Sequence, residues 1–323
     1  MSNWQQELIQ GFSNAQDLLD FLEITSISGA ENTFKTRVPR AFAERMQKGN
    51  DQDPLLLQVL ATHQELDFVE GYSNDPLHEA EYNPSPGIIH KYYNRLLFVL
   101  TAACAVNCRY CFRRHFPYQD NNAGKKGWHG LRHYLQSHAE VEELILSGGD
   151  PLILNNQQFA DFLENLADLG SLTTIRIHSR IPIVLPSRID DAWLKLWDKF
   201  PWQKVMVVHC NHPQELDGSV HKALLQLKQH GWIILNQAVL LKGVNDNVDI
   251  LVSLSKKLFA FGVMPYYLNL LDKVHGAAHF EVDRNAALTI YKGIQNLLSG
   301  YLVPKLVQEI AGVGHKSLVL QNI

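Results

Sequence analysis

The hydrophobic rhythm of the chain changes once. As far as Pro86, apolar residues recur at helix-like intervals, first at Leu8, Phe12, Leu18, Leu19 and Leu22, then at Phe34, Val38, Phe42 and Met46. Side chains three or four positions apart share one helix face, which predicts an interrupted helical region with Pro39 in a first turn or at a kink. Pro76, Pro84 and Pro86, mixed with Asn74, Asn83, Ser85 and Gly87, then mark an irregular crossing.

Beyond it, short β-rich runs alternate with amphipathic stretches. The runs cover residues 96–100, 143–146, 174–178, 205–209, 233–238 and 264–268. Helical patterns fill 157–169, 190–200, 220–230 and 248–261, each long enough to cross over a sheet. Repeated units of this kind predict an α/β fold with a parallel sheet and helices outside, and six of them suggest a partial (β/α)6 TIM-like barrel. After Asp283 come a further helical pattern at 286–298 and possible strands at 303–310 and 317–320. The expected division is an N-terminal helical region over 1–86, a barrel over 87–275 and a short C-terminal segment over 276–323.

Composition narrows the function classes. A chain of 323 residues, 46% apolar and 19% charged, can bury one large core or two modest ones. A net charge of -4 and a pI near 6.4 offer no excess positive charge for nucleic acid or for an anionic membrane. The first residues lack a basic segment followed by an apolar block, and the longest apolar stretch, 96–106, is interrupted by Thr101 and too short to span a bilayer. A cytoplasmic protein is expected.

The four cysteines then change the picture. Cys104, Cys108 and Cys111 crowd into eight residues just after the first predicted strand, which suits metal or redox chemistry better than a disulfide framework. At the spacing C-x3-C-x2-C, three thiolates can hold a [4Fe-4S] cubane and leave one iron without a protein ligand. A zinc knot would call for a fourth ligand nearby, and His115 is the nearest. Cys210 stands alone at a strand end and reads as a packing residue.

The spacing, with Tyr110 before the last cysteine, resembles the radical S-adenosylmethionine (SAM) superfamily. More of the chain is similar to lysine 2,3-aminomutases of that superfamily, from about Thr33 onward. The likeness includes the runs at 91–98, 111–114, 147–150, 180–188, 209–213, 236–246, 265–267, 299–301 and 312–316. The chain ends seven residues after Lys316, where longer members of the family continue. This short form resembles the branch that supplies β-lysine for modifying translation elongation factor P (EF-P).

The resemblance implies a barrel of the radical SAM type, a [4Fe-4S] cluster, SAM and pyridoxal 5'-phosphate (PLP), and conversion of L-lysine to β-lysine. It assigns the cluster to Cys104, Cys108 and Cys111, and SAM to Ser147, Gly148, Gly149, Asp150, His209 and Gln237. PLP falls to Lys316, its phosphate to Lys91, Tyr92 and Arg95. Gly312 and Gly314 would let backbone come close to the flat cofactor. Arg113 would grip the substrate carboxylate with its two-pronged guanidinium, and Arg114 would be its structural neighbour. Asp272 and Glu309 would bind the ε-ammonium, with Glu309 standing where the family has aspartate. Partners implied are the lysine substrate, an electron donor such as flavodoxin or ferredoxin, and a functional link to an EF-P lysyl ligase. Rival readings are an aminomutase for arginine or glutamate and a non-catalytic metal-binding module of the translation machinery. Taken alone, a lysine near a C-terminus is a solvated surface group, a Gly-Gly-Asp-Pro run is a tight turn, and two separate acids face water.

Overall fold

The computed structural model describes residues 3–30, 34–121 and 124–320, apart from the side chains of 124–126. Nine strands form one sheet whose spatial order follows chain order: β1 (Ile88–Tyr92), β2 (Arg95–Thr101), β3 (Glu143–Gly148), β4 (Thr174–Ser179), β5 (Gln203–Val208), β6 (Ile233–Val239), β7 (Met264–Asn269), β8 (Lys305–Gln308) and β9 (Ser317–Leu318). β2 through β8 are parallel, and β1 and β9 flank them as antiparallel strands. When each parallel strand lies beside its predecessor, crossovers of one hand put the helices on one face and leave the other to line an interior. The two ends of the sheet meet through side chains: Lys91 of β1 lies 3.1 Å from Glu309, which follows β8. The sheet therefore curls into an open barrel.

The outer helices start where short polar side chains can cap them. Asn155, Asp190, Asp217, Asn247 and Asp283 each accept a first-turn backbone N–H, at the heads of helices Asn156–Glu164, Asp191–Trp197, Gly218–Gln229, Val248–Ala260 and Arg284–Leu297. Each such cap contributes about 1 kcal/mol. The helices cover alternate residues of the strands, because side chains on a strand point to opposite faces in turn. Leu144 and Leu146 of β3 and Ile175 and Ile177 of β4 are fully buried on the helix side. There they belong to an apolar core that includes Phe159, Trp193, Trp197 and Trp232. The Trp193 and Trp232 rings stack at 5.4 Å.

All six predicted strands are present, and the further strands expected at 303–310 and 317–320 appear as β8 and β9. β1 was not predicted. The N-terminal pattern gives shorter helices than its periodicity suggested, Asn3–Ile9 and Ala15–Phe21. Between residues 34 and 46 only one turn, Arg40–Ala43, is helical. Pro39 caps that turn, and Val38 instead exchanges backbone hydrogen bonds of 2.8 and 2.9 Å with Phe12. Trp4, Leu18, Phe42 and Leu55 share the barrel's apolar core, so this region packs onto the barrel. Among the described residues no helix is long and apolar enough to cross a membrane.

Candidate active site

A cavity of about 540 Å³ runs through the barrel interior. It is lined at one end by the cysteines that follow β2 and at the other by Arg95, where β2 begins. Six steps of strand rise separate these ends, roughly 20 Å. Cys104, Cys108, Cys111, Arg113, Ser147, Gly148, Gly149, Asp150, His209, Gln237, Asp272, Glu309, Lys91, Tyr92, Arg95 and Lys316 line this one space, whereas Arg114, Gly312 and Gly314 lie outside its lining.

The cysteine end is built by close approach of backbones. The loop after β3 lies against the cysteine loop, with Gly149 N and Asp150 N each donating at 2.8 Å to the carbonyls of Thr101 and Ala103. A side chain at Gly148, whose φ is +103°, would stand 2.6 Å from a Val99 methyl, and one at Gly149 would overlap the Ala103 carbonyl. Glycine is needed there for packing, whatever else binds. The Asp150 carboxylate looks inward to the protein: it accepts from Ser179 Oγ at 2.7 Å and from the backbone N–H groups of Leu152, Arg180 and Ile181 at 3.1, 2.8 and 3.1 Å. Burial nevertheless pushes its pKa up to about 6.

Burial also pushes the Cys104 thiol well up, and that of Cys111 up to about 11, so a cationic partner is needed to make them ligands. Cys108 has one already in Arg180, whose Nη1 donates to its sulfur at 2.9 Å. Among the described residues, no three His, Cys, Asp or Glu side chains converge closely enough for a single metal ion. The three thiols follow one strand and open onto one cavity, the donor set that a cubane cluster takes. Cys210 is fully buried and outside the cavity lining.

Midway along the cavity, the rings of His178 and His209 meet edge to face at 5.9 Å. Burial lowers His209 to about 4 and His178 well below its usual range, so both are neutral. The Nε2 atom of each is buried without a hydrogen-bond partner. Such orphans are uncommon and mark places where a ligand atom is expected.

The far end is cationic. Lys91, Arg95, Arg176 and Lys316 line it against the carboxylates of Glu143 and Glu309. Glu309 and Lys316 sit at the base of the hairpin between β8 and β9, whose tip turns at Gly312 with φ +81°. Lys316 Nζ donates to Glu309 at 2.9 Å and to Asn269 at 3.1 Å, 5.8 Å from the Tyr267 ring centre. Lys91 Nζ donates to the same carboxylate at 3.1 Å and the Tyr92 hydroxyl does so at 3.4 Å. Burial would raise Glu309, but Lys316 and Lys91 outweigh it and hold the group near about 2. The Arg95 guanidinium lies 4.0 Å from the Tyr92 ring centre and has no carboxylate partner among the described residues. A surplus of half-buried cations beside an aromatic face fits a phosphorylated, planar ligand such as PLP.

Asp272 differs from every other carboxylate here. No hydrogen bond to its side chain is present among the described residues, and burial pushes it up to about 7 despite the pull of Lys316. Arg113 is already engaged: it grips Glu79 through two bonds of 2.8 and 2.6 Å and donates to Ser147 Oγ at 3.0 Å. Arg114 ties Glu65 to the carbonyls of Arg109 and Gly276, as a structural neighbour would. Sequence reasoning missed Glu79, Arg176 with its partner Glu143, and the roles of His178 and Arg180. Inward alternation along β4 would have flagged Arg176 and His178. Glu79 lies in the irregular crossing and carries no local signal.

Comparison with known proteins places this geometry. A family model described as a 4Fe-4S single cluster domain matches residues 94–179, which include all three cavity cysteines. L-lysine 2,3-aminomutase of Haemophilus influenzae is 47% identical over 98% of this chain and 95% of its own length. The Escherichia coli protein of that name is 44% identical over 98% and 94%, and that of Clostridium subterminale 29% over 99% and 78%. A solved radical SAM methyltransferase from Sphaerobacter thermophilus superposes with a TM-score of 0.49 and 14% identity over 68% of each chain. With near-complete coverage at such identity, the chain belongs to the L-lysine 2,3-aminomutase family.

Proposed function

We propose that this chain converts L-lysine to β-lysine, with Cys104, Cys108 and Cys111 holding a [4Fe-4S] cluster and Lys316 anchoring PLP. The observation that supports this best is the single cavity, which opens the three thiols and the Lys316 amine onto one space. When bound, the cluster with SAM supplies a carbon radical able to remove an unactivated hydrogen, and PLP supplies a π-system that delocalises the unpaired electron while nitrogen moves.

The chain's own residues position these groups. Ser147, Gly148, Gly149 and Asp150 form the wall beside the cysteines, and His209 and Gln237 face the space SAM would occupy. Lys91, Tyr92 and Arg95 would take the PLP phosphate. Arg113 would hold the lysine carboxylate, sharing or exchanging Glu79. Asp272 would receive the ε-ammonium, with Glu309 close enough to share its field: an unbonded, half-buried carboxylate raised to about 7 gains most from a cation. Fixing both ends of lysine places its Cβ relative to the radical source, and burial excludes water from reactive species. An electron donor such as flavodoxin or ferredoxin would reduce the cluster, and the β-lysine would serve an EF-P lysyl ligase.

Anaerobically reconstituted protein, given SAM, PLP, a reductant and L-lysine, should yield β-lysine by mass spectrometry. Lys316→Ala should yield none, and Cys108→Ala should fail to retain four irons per chain. Turnover of arginine or glutamate in place of lysine would overturn the substrate assignment. Transfer of labelled β-lysine to EF-P by a lysyl ligase checks the destination, and its absence would remove that part.

A further inference from the structure

We infer that Arg180 is a positioning residue for the iron–sulfur cluster, its guanidinium fixing the Cys108 sulfur and making that corner easier to reduce. The inference rests on Cys108 being a cluster ligand. Arg180 follows β4 and is buried. Its fork is divided among three partners: Nη1 donates to Cys108 Sγ at 2.9 Å, and Nη2 to Gln58 Oε1 at 2.6 Å and Glu215 Oε2 at 3.2 Å. Glu215 is in turn locked by the backbone N–H groups of Asn211 and His212 at 2.9 and 3.0 Å and by the Gln58 amide at 3.2 Å. Asn211 donates to the Tyr110 hydroxyl at 2.7 Å and to Gln58 at 3.0 Å. The guanidinium also stands 5.6 Å from the Tyr110 ring centre and 5.2 Å from that of Phe42. No part of this network is free to turn away.

The three sulfurs are therefore unequal. Among the described residues no charged side chain donates to the Cys104 or Cys111 sulfur, although Cys111 lies within the fields of Arg113 and Arg114. Cys108 accepts a direct hydrogen bond from the buried, positively charged guanidinium of Arg180. Reduction adds an electron to the cluster, so a nearby cation and an N–H···S bond stabilise the reduced state more than the oxidised one. Gln58 comes from the N-terminal region, 122 positions before Arg180, so that region fixes the geometry of the cluster corner.

The test compares Arg180→Gln, Arg180→Lys and a control, Arg188→Lys. Arg188 is as deeply buried but donates only to the carbonyls of Leu152 and Leu154, at 2.7 and 2.9 Å. Iron and sulfide content and the midpoint potential, from an EPR-monitored redox titration, are read on each reconstituted protein. Arg180→Gln should lower the ratio of reduced to oxidised cluster at the wild-type midpoint about tenfold, ~59 mV for one electron. Arg180→Lys keeps the charge but cannot bond three partners at once, and should shift the same way by a smaller factor. Arg188→Lys should keep the wild-type potential. If Arg180→Gln does not fold or load, Arg180→Lys decides: a wild-type potential overturns the inference, as does an equal shift in Arg188→Lys. Failure of the wild-type chain to bind a cluster would sink the ligand assignment itself.

Discussion

Ile175 and Ile177 leave β4 toward the helices, while Arg176 and His178 leave the same strand toward the cavity. Outside, the groups pack chiefly through dispersion and hydrophobic burial, and the polar atoms among them include the buried indole N–H groups of Trp193, Trp197 and Trp232, which have no partner. Inside, the groups are underbonded: His178 and His209 have orphan nitrogens, Asp272 has an unbonded carboxylate, and cations outnumber acids at the far end. One strand thus spends alternate residues on stability and on ligand binding. The unbonded groups of the inner face open onto a cavity where a ligand can meet them, as the indoles of the outer core do not.

This contrast can be broken at several points. Trp193→Ala removes a fully buried ring from the outer core and should destabilise the protein by about 3–5 kcal/mol in a denaturant titration. A loss below about 1 kcal/mol would show that the outer face does not carry stability as described. Inside, Asp272→Asn should act on binding: losing a charge-assisted bond worth about 1.5–3 kcal/mol should raise the KM for lysine about 10- to 100-fold.

The pH profile sharpens the same point. Asp272 ionises at about 7 because burial outweighs the pull of Lys316, with Glu309, Glu79 and Arg113 as its other charged neighbours. Below that pH it is protonated and cannot hold an ammonium, so kcat/KM for lysine should rise through pH 7 and then level. Asp272→Asn should flatten the rise, and a persistent limb would assign it to another group. A further effect concerns stability without ligands. The folded-state pKa of Asp272 exceeds the ordinary 3.8, so folding loses stability as pH rises from about 4 to 7 and the full burial cost applies above that. Asp272→Asn should therefore stabilise the unliganded protein more at pH 8 than at pH 5, read as a shift in melting temperature.

The parts legible in the sequence were those with local signatures. The six strands were visible because apolar runs were long and helices of crossover length stood between them. The cysteines were visible through spacing, and Lys316 only through likeness to a family. β1 was hidden because Ile88–Tyr92 is half polar and follows a stretch rich in proline and glycine. The helix expected over 34–46 failed because its period could not reveal that Val38 pairs with Phe12. Glu79 and Arg180 needed the fold itself: their partners lie 34 and up to 122 positions away.

The central claim is that Lys316, rather than the other amine on the same carboxylate, is the anchor in a cavity shared with the cysteines. Borohydride reduction of PLP-loaded protein, followed by peptide mapping, tests it directly. The account predicts a pyridoxyl group on Lys316 alone; a pyridoxyl group on Lys91, or on no lysine of the cavity, would contradict it.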